Sequence, residues 1–155
     1  MPTAPKKIFL NHSQFCWVDA ADYDWLNQFK WGAILTHSGW RAITEIDGKR
    51  AYMSRLILEL TNKLQADHKN GNTLDNQRRN LRPATHSQNQ QNARKRKDNA
   101  SGFKGVSFDQ HYQTWRVQIR VNGKRYSKGG FKTAELAAAT YQEAATRLHG
   151  KFSRF

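Results

Sequence analysis

The chain has 155 residues and a formal net charge of +14, from 26 Lys and Arg against 12 Asp and Glu. This length suits one ordinary domain or two small ones. Its single cysteine, Cys16, excludes both an intramolecular disulfide and a cysteine-based zinc site, and no apolar run approaches the roughly 20 residues of a membrane span.

The positive charge is concentrated in the later part of the chain. Residues 1–62 carry seven basic and six acidic side chains, whereas residues 63–155 carry nineteen and six. A basic region of this size is typical of nucleic-acid binding; a basic soluble protein and a membrane-surface binder are the alternatives. Nucleic acid is favoured because the basic residues alternate with aromatic and amide side chains along predicted strands.

Residues 8–62 have the pattern of a small α+β region. Asp19 is a predicted cap for the helix that follows it, and residues 54–60 have the apolar spacing of a second short helix. Asp47 and Gly48 predict a hairpin turn. The predicted strands are residues 8–10, 15–18, 31–35, 40–46 and 49–53. Four tryptophans are predicted to lie in the core rather than to stack on bases: Trp17, Trp25, Trp31 and Trp40.

Residues 63–93 contain the side chains that phosphodiester hydrolysis needs. A strand should end at Asp67 and His68, a loop rich in Asn and Gly should follow, and a second strand is expected near residues 81–83. A helix should then begin at residues 85–87, with Ser or Thr as its cap. In-line attack by water needs a base for the water and positive charge on the phosphate oxygens, and oxygen ligands suit a hard divalent cation.

This segment resembles the active site of HNH endonucleases, the ββα-metal nucleases, in the variant common among phage homing enzymes. The resemblance implies that Asp67 and Asn89 hold the metal ion, that His68 is the general base, and that Asn80 fixes the loop and orients the imidazole. It implies one divalent cation, Mg²⁺ in the first place and Mn²⁺ as the alternative. Relatives often carry His where this chain has Ser54, a difference that would weaken turnover if that His assists metal or phosphate binding.

Residues 94–102 are basic and then polar, which predicts a linker or the fraying end of the preceding helix. The stretch could be a solvated tether, but on a nuclease it is expected to follow phosphates. Residues 103–155 begin a new pattern, with strands at residues 103–108, 115–121 and 124–131. Asn122 and Gly123 predict a hairpin turn between the last two strands. Residues 133–135 should cap a helix that runs to about His149 and packs through Leu136, Ala137, Ala139, Tyr141, Ala144, Ala145 and Leu148.

Several stretches of this last segment follow one family pattern: residues 105–106, 115–120, 124–125, 129–131 and 133–139, with Tyr141, Ala144, Ala145 and Gly150. They resemble the ethylene-response-factor (Apetala-type) domain of plant transcription factors, which is also appended to phage HNH nucleases. The resemblance implies a three-stranded antiparallel sheet that lies in the major groove, backed by one helix. Ser127 replaces the usual Trp of plant members. Independently of the family, Arg116, Gln118 and Arg120 share one face of a strand, where such side chains read bases or bind phosphate.

The sequence therefore predicts an α+β protein: an HNH ββα-metal nuclease fold with an N-terminal α+β extension over residues 1–93, the linker 94–102, and an Apetala-type DNA-binding domain over 103–155. The expected function is metal-dependent cleavage or nicking of double-stranded DNA by a monomer or homodimer in a bacterial host cytoplasm, with no membrane or protein partner. The alternative is a DNA-binding regulator with weak or no catalysis. The residues expected to contact DNA are Arg78, Arg82, Arg94, Lys95, Arg96, Lys97, Lys104, Arg116, Gln118, Arg120, Arg125 and Ser127.

Overall fold

Runs of two or three short strands, each run followed by a helix, make up the computed structural model, which describes residues 4–61, 63–95, 98–121 and 123–155. These residues form four α-helices and four small antiparallel sheets, so the predicted α+β class is confirmed. The chain divides into two compact units, the first ending at Thr85 and the second beginning at His86. This division falls before the predicted linker. No helix in the described part of the chain is long and apolar enough to cross a membrane.

The first unit contains three of the sheets, in which β1 pairs with β2, β3 with β4 and β4 with β5, and β6 with β7. The predicted order of strands and helices is confirmed. The second helix is shorter than predicted because the guanidinium of Arg55 binds the carbonyls of Leu60 and Thr61, which turns the chain away from the helix axis. The elements are β1 Lys6–Phe9, β2 Phe15–Val18, α1 Ala20–Leu26, β3 Gly32–Thr36, β4 Gly39–Ile46, β5 Lys49–Tyr52, α2 Met53–Ile57, β6 Gln65–His68 and β7 Leu81–Ala84.

The core of the first unit contains residues from its strands and from its helices. Trp31 is buried in it and Trp25 packs against it, as predicted. Trp17 and Trp40 are only half-buried and lie outside this cluster, so the prediction was wrong for them. Trp17 alternates along β2 with buried residues and so faces outward, and Trp40 stacks on His12 at 5.3 Å. The buried cluster is Ile8, Cys16, Val18, Leu26, Trp31, Ala42, Met53, Ile57 and Leu81.

The second unit is a three-stranded antiparallel sheet in the order β10-β9-β8, with a helix packed against one face. The side chain of Thr133 accepts a hydrogen bond from the backbone N–H of Leu136 and caps this helix, as predicted. Leu136, Ala139 and Leu148 are exposed, however, because the face against the sheet consists mainly of other alanines and Tyr141. Its elements are α3 His86–Gln91, β8 Val106–Asp109, β9 Thr114–Val121, β10 Lys124–Phe131 and α4 Ala134–His149.

Gly105 sets how closely α4 approaches the sheet. Its φ of +71° explains why β8 begins at Val106 rather than at residue 103. A Cβ at this position would overlap the ring of Tyr141 and come within 2.8 Å of the Gln118 carbonyl oxygen. Only glycine therefore satisfies both the backbone conformation and the space.

The substitution Gly105→Ala should destabilise the chain by roughly 2–5 kcal/mol, because the left-handed conformation and the overlap with Tyr141 both cost free energy. Gly102→Ala is the matched control, since Gly102 has a φ of +77° and nothing within 4 Å of the added Cβ. The control should lose only about 1–2 kcal/mol. Urea unfolding of the two variants measures the difference, and equal losses would show that Tyr141 does not limit the approach.

Candidate functional site

The hairpin of β6 and β7 carries the two residues that are expected to be central to the site. Asp67 pairs with Arg82 and His68 with Leu81 in the antiparallel register. Asp67 is 2% exposed and His68 is 4% exposed. The strand ends at His68, as predicted, and a turn follows in which the Gly71 N–H donates to the His68 carbonyl. Successive side chains of a regular strand point to opposite faces. The carboxylate of Asp67 and the imidazole of His68 therefore point to opposite faces of β6.

The imidazole of His68 contacts Asn76, with His68 Nε2 3.1 Å from Asn76 Oδ1. Burial lowers the pKa of His68, and the hydrogen bond to Asn76 opposes that shift. The Arg41 guanidinium lowers the pKa further, whereas the Asp67 and Asp75 carboxylates raise it. The net lowering favours the neutral ring, the state in which an imidazole accepts a proton.

Asn80 shapes the loop between the two strands. Its Oδ1 accepts from the backbone N–H of Asn70 at 3.0 Å, and its Nδ2 donates to the Asp75 carbonyl at 2.7 Å. The prediction that Asn80 fixes the loop agrees with these contacts. The direct hydrogen bond that was expected from Asn80 to the imidazole is made by Asn76 instead, because the amide group of Asn80 is used by the loop backbone.

The carboxylate of Asp67 forms a close ion pair with Arg82, whose Nε donates to Asp67 Oδ2 at 2.6 Å. The Arg82 side chain is largely buried, so this contact differs from the predicted role of Arg82 on DNA. A carboxylate has two oxygens and accepts an arginine with one while the other binds a hard cation. The donor chemistry of Asp67 therefore fits Mg²⁺, although the guanidinium lowers the negative charge that an ion would meet.

Residues of α1 and β2 hold the far side of the loop. Arg78 donates through Nε and Nη2 to both carboxylate oxygens of Asp22, at 2.8 and 2.7 Å. Asp19 stands at the N-cap of α1 but makes no side-chain cap, and its carboxylate accepts from the backbone N–H of Arg78 instead. Arg78 thus forms an intramolecular pair with a buried aspartate, and its predicted contact with DNA stays a prediction. Trp17 adds a parallel bridge to Asp75.

The remaining expected site residues lie on other elements. Asn89 lies on α3, in the second compact unit, and Ser54 is buried on α2, which contacts β6. Among the described residues, no group of three or more His, Cys, Asp and Glu lies where it could share a metal ion. The predicted ligands are one carboxylate, from Asp67, and one amide oxygen, from Asn89. This ligand set is not a cluster of His, Cys, Asp and Glu, so the absence of such a cluster among the described residues does not test it. The assignment of Asp67 and Asn89 as metal ligands stays a prediction.

The face of the sheet away from α4 carries the predicted cross-strand set. Arg116 donates to Ser107 Oγ at 3.1 Å and to Asp109 Oδ2 at 3.4 Å, which holds its guanidinium against the sheet. Arg120 and Arg125 are direct cross-strand partners and are exposed. Neither has an ion-pair partner within the described residues. Like charges opposite each other are unfavourable, and a bound polyanion would remove that cost.

Two further positions complete this face, since Gln118 and Ser127 are also cross-strand partners. Arg116 and Ser127 line a shallow cavity of about 490 Å³ together with Gly129 and Gly130. If Gly129 carried a Cβ, that atom would lie 3.8 Å from the Cβ of Arg116. The strand β10 therefore passes close to the base of the arginine side chain. Tyr112 and Asp109 line the same cavity, so a ligand there would meet an aromatic ring and a carboxylate beside the guanidinium of Arg116.

The basic residues that precede β8 differ in how far they are exposed and in which groups they bind. Lys104 was expected to extend the sheet face, but its Nζ donates to the Gln91 carbonyl at 2.6 Å, at the end of α3. Burial lowers the pKa of Lys104 to about 8, with a further contribution from Arg154. Lys95 is exposed and donates to the Gly102 carbonyl. Arg94 is exposed. Three expected positions lie outside the described residues: Arg96, Lys97 and the turn residue Asn122.

Comparison with known proteins gives one informative relative. The chain is 35% identical over 89 residues to protein 3.8 of Escherichia phage T7, an alignment that covers 57% of this chain and 73% of the phage protein. The chain belongs to the family of this phage protein. The name of the T7 protein states no activity. No family model matches the sequence, and no solved structure matches the fold.

The pair between Arg78 and Asp22 gives a test of what holds the loop. Asp22→Ala should lower the free energy of unfolding by about 1–3 kcal/mol, because it leaves the guanidinium without its buried acceptor. Asp24→Ala is the matched control on the same helix, since Asp24 is exposed and lies 4.0 Å from Lys6. The control should stay within about 0.5 kcal/mol of the parent. Chemical denaturation of both variants measures this, and similar stabilities would argue against a structural role for Asp22.

Proposed function

We propose that this member of the T7 protein 3.8 family is a metal-dependent DNA endonuclease of the HNH type. The observation that carries the proposal is the buried pair of Asp67 and His68 at the end of β6, opposite β7 and followed by a loop that Asn80 holds in shape. The strand, loop, strand and helix follow one another as in a ββα-metal nuclease. Because β6 ends at His68, the carboxylate of Asp67 would act as ligand and the neutral imidazole of His68 as base at the point where the regular alternation of the strand stops.

The chemistry assigns each side chain one task. His68 accepts a proton from the attacking water, which its neutral state permits. Asp67, with Asn89 as the second expected ligand, would hold one Mg²⁺ or Mn²⁺. When bound, such an ion neutralises negative charge on the phosphate oxygens of the scissile group. Asn80 maintains the loop geometry through Asn70 and Asp75 and thereby supports the end of β6.

The second unit is proposed to anchor the enzyme on duplex DNA through the exposed sheet face. The support is the pair of Arg120 and Arg125, two exposed cations that face each other and have no carboxylate partner among the residues that the structure describes. A monomer has one cleavage site at Asp67 and His68, so it should nick one DNA strand, and a dimer would cut both strands. The family relationship to a phage protein agrees with action in the cytoplasm of an infected bacterium.

A DNA-binding regulator without catalysis is the second candidate, and one observation favours it. The guanidinium of Arg82 occupies Asp67 Oδ2 at 2.6 Å, where it competes with a cation for the same carboxylate. In an enzyme, an added divalent ion should still bind and cleavage should depend on it. In a regulator, DNA binding should be independent of the ion and no cleavage should occur.

The substitution His68→Ala should lower the rate of plasmid nicking by about 10²–10⁴ and leave DNA affinity nearly unchanged, because a base acts on the water and not on binding. The assay compares supercoiled plasmid with and without Mg²⁺ or Mn²⁺. His37→Ala is the matched control, since this exposed histidine lies in the turn between β3 and β4. If the parent protein cleaves without a metal ion, or if His68→Ala cleaves at the parental rate, the assignment is wrong.

The metal assignment has its own test in Asp67→Ala. This change removes the one anionic ligand, so the concentration of Mn²⁺ or Mg²⁺ needed for half-maximal cleavage should rise more than in Asn89→Ala, which removes a neutral amide. Titration of each ion into the two variants measures the difference. Unchanged metal dependence in Asp67→Ala would remove Asp67 from the ligand set.

The anchoring role is tested by Arg120→Ala. If Arg120 contacts a base edge, binding should weaken by roughly 1–3 kcal/mol and sequence preference should relax. If Arg120 contacts phosphate, the slope of log affinity against log salt should fall by about one. Arg147→Ala is the matched control, because it removes the same charge from an exposed position on α4, the helix that backs the sheet. Equal losses in both variants would indicate attraction by net charge alone.

A further inference from the structure

The hairpin of β1 and β2 turns one face away from the core of the first unit. Ile8 and Cys16 belong to that core, so the residues that alternate with them point outward. The outward side chains, called here the aromatic face, are Lys7, Phe9, Phe15 and Trp17. Phe9 is 77% exposed, and the other two rings are half-buried. Three rings therefore stand on an outer surface, and burial in the core does not account for them.

The strand register gathers these four side chains into one surface. Lys7 lies opposite Trp17, and Phe9 lies opposite Phe15; cross-strand partners project from the same side of a sheet. The rings of Phe15 and Trp17 meet edge to face, with centroids 5.7 Å apart and planes at 88°. Lys7 Nζ lies over both rings, 4.4 Å from the Phe15 centroid and 4.9 Å from the Trp17 centroid.

Charge decides which kind of partner suits the aromatic face. Residues 6–18 contain two lysines and no Asp or Glu, and Lys7 has no ion-pair partner among the described residues. A purely apolar partner would leave the Lys7 ammonium desolvated, and a second copy of the face would bring like charges together. An unpaired nucleobase supplies a flat ring for stacking, and the phosphate beside it supplies negative charge.

The rings gain more from a base than from the lysine that covers them. A cation over an exposed ring contributes roughly 2- to 5-fold to an equilibrium constant, whereas a base stacked on an aromatic side chain contributes about 5- to 100-fold. A base would therefore displace Lys7 Nζ from the rings. The ammonium would then reach the neighbouring phosphate and keep a partner of opposite charge.

The aromatic face lies next to the loop of the candidate site. The N–H of Trp17 donates to the Leu74 carbonyl at 2.9 Å, and the Trp17 carbonyl accepts from the N–H of Asn76 at 2.8 Å. The side chain of Asn76 contacts His68. A strand held on the aromatic face would thus run close to the proposed site of cleavage.

We propose that the aromatic face is a binding site for single-stranded DNA, in which unpaired bases stack on Phe9 and Trp17 and Lys7 contacts the backbone. The outward position of Trp17 reverses the prediction that this tryptophan packs in the core and does not stack on bases. Binding itself does not depend on the proposed nuclease. Its consequence, that the cleaved DNA has unpaired bases beside the scissile phosphate, rests on the proposed function.

Fluorescence anisotropy of the full-length protein with a labelled oligothymidylate of about 10 nucleotides measures this binding. EDTA is present, so no metal ion or cleavage is involved. An abasic oligomer of equal length is the matched probe, because it has the phosphates without the bases. We expect the parent to bind the oligothymidylate more tightly than the abasic oligomer. Equal affinity for the two probes would overturn the proposal.

Variants of the rings identify the stacking residues. Phe9→Leu and Trp17→Leu should each lower affinity for the oligothymidylate by about 5- to 100-fold and leave affinity for the abasic oligomer unchanged. Phe9→Tyr and Trp17→Phe keep a ring and should retain most of the binding. Equal losses in the leucine and the ring-retaining variants would overturn the proposal. Phe9 is so exposed that its replacement leaves the core intact, so Phe9→Leu decides the result if Trp17→Leu does not fold.

The remaining arms test the phosphate contact and the choice of occupant. Lys7→Gln should lower the slope of log affinity against log salt by about 0.7, and an unchanged slope would contradict the contact of Lys7 with phosphate. Tighter binding of oligouridylate than of oligothymidylate would assign the face to RNA. A change of oligomeric state in Phe9→Leu would assign it to protein association. Either of these two results would overturn the proposal.

The same variants separate this inference from the proposed function. A protein that binds oligothymidylate through Phe9 but nicks no plasmid keeps the single-strand site and loses the nuclease assignment. A protein that nicks plasmid, while Phe9→Leu binds oligothymidylate as the parent does, keeps the nuclease assignment and loses the single-strand site.

Discussion

The carboxamide of Asn80 is the interaction on which the candidate site depends most directly. The loop that connects β6 to β7 has no regular secondary structure, so its backbone groups need partners from side chains. Asn80 supplies both an acceptor for Asn70 and a donor for Asp75, and Asp75 in turn accepts from Asn70 and Gln77. These bonds bring residues from both ends of the loop together next to the end of β6. The density of Asn and Asp in this segment follows from that requirement, since short polar side chains readily bond to nearby backbone.

The N-terminal elements α1 and β2 bind the loop between β6 and β7 and so contribute directly to the structure of the candidate site. Asp19 and Asp22 bind the backbone and the guanidinium of Arg78, and β2 bonds to the loop on both sides of Asp75. A buried carboxylate such as Asp22 is stable only with a charged or multiply hydrogen-bonded partner. The helix α1 and the loop therefore stabilise each other. This mutual dependence gives Arg78, a basic residue next to the candidate site, a structural partner inside the protein.

The two units distribute charge in different ways. In the first unit the arginines near the site are paired with aspartates, as in Arg82 with Asp67 and Arg78 with Asp22. In the second unit Arg120 and Arg125 face each other in the exposed part of the sheet, while Arg116 is paired with the carboxylate of Asp109. Paired charges contribute little to the field outside a protein, and unpaired ones attract polyanions. Arg120 and Arg125 thus place two exposed positive charges side by side on the sheet face, where the proposed DNA contacts lie.

The sequence by itself determined the elements and the faces of the strands. Period-two alternation and hairpin turn residues predicted β4, β5, β9 and β10 to within a few residues, and the cap at Thr133 predicted the start of α4. These features depend on neighbouring residues, which is why they can be read from the chain. The positions of Asp67 and His68 at the end of a strand were predicted for the same reason, and the spacing of Asn80 indicated a role in the loop.

Only the tertiary structure decided which polar groups meet. That Asn76 and not Asn80 contacts His68, that Arg78 pairs with Asp22 and that Lys104 binds the end of α3 are contacts between residues far apart or on unrelated elements. A basic side chain next to a motif has the same sequence signature whether it binds phosphate or a buried carboxylate. The choice depends on packing that brings a particular acceptor within about 3 Å, and no local pattern encodes that distance.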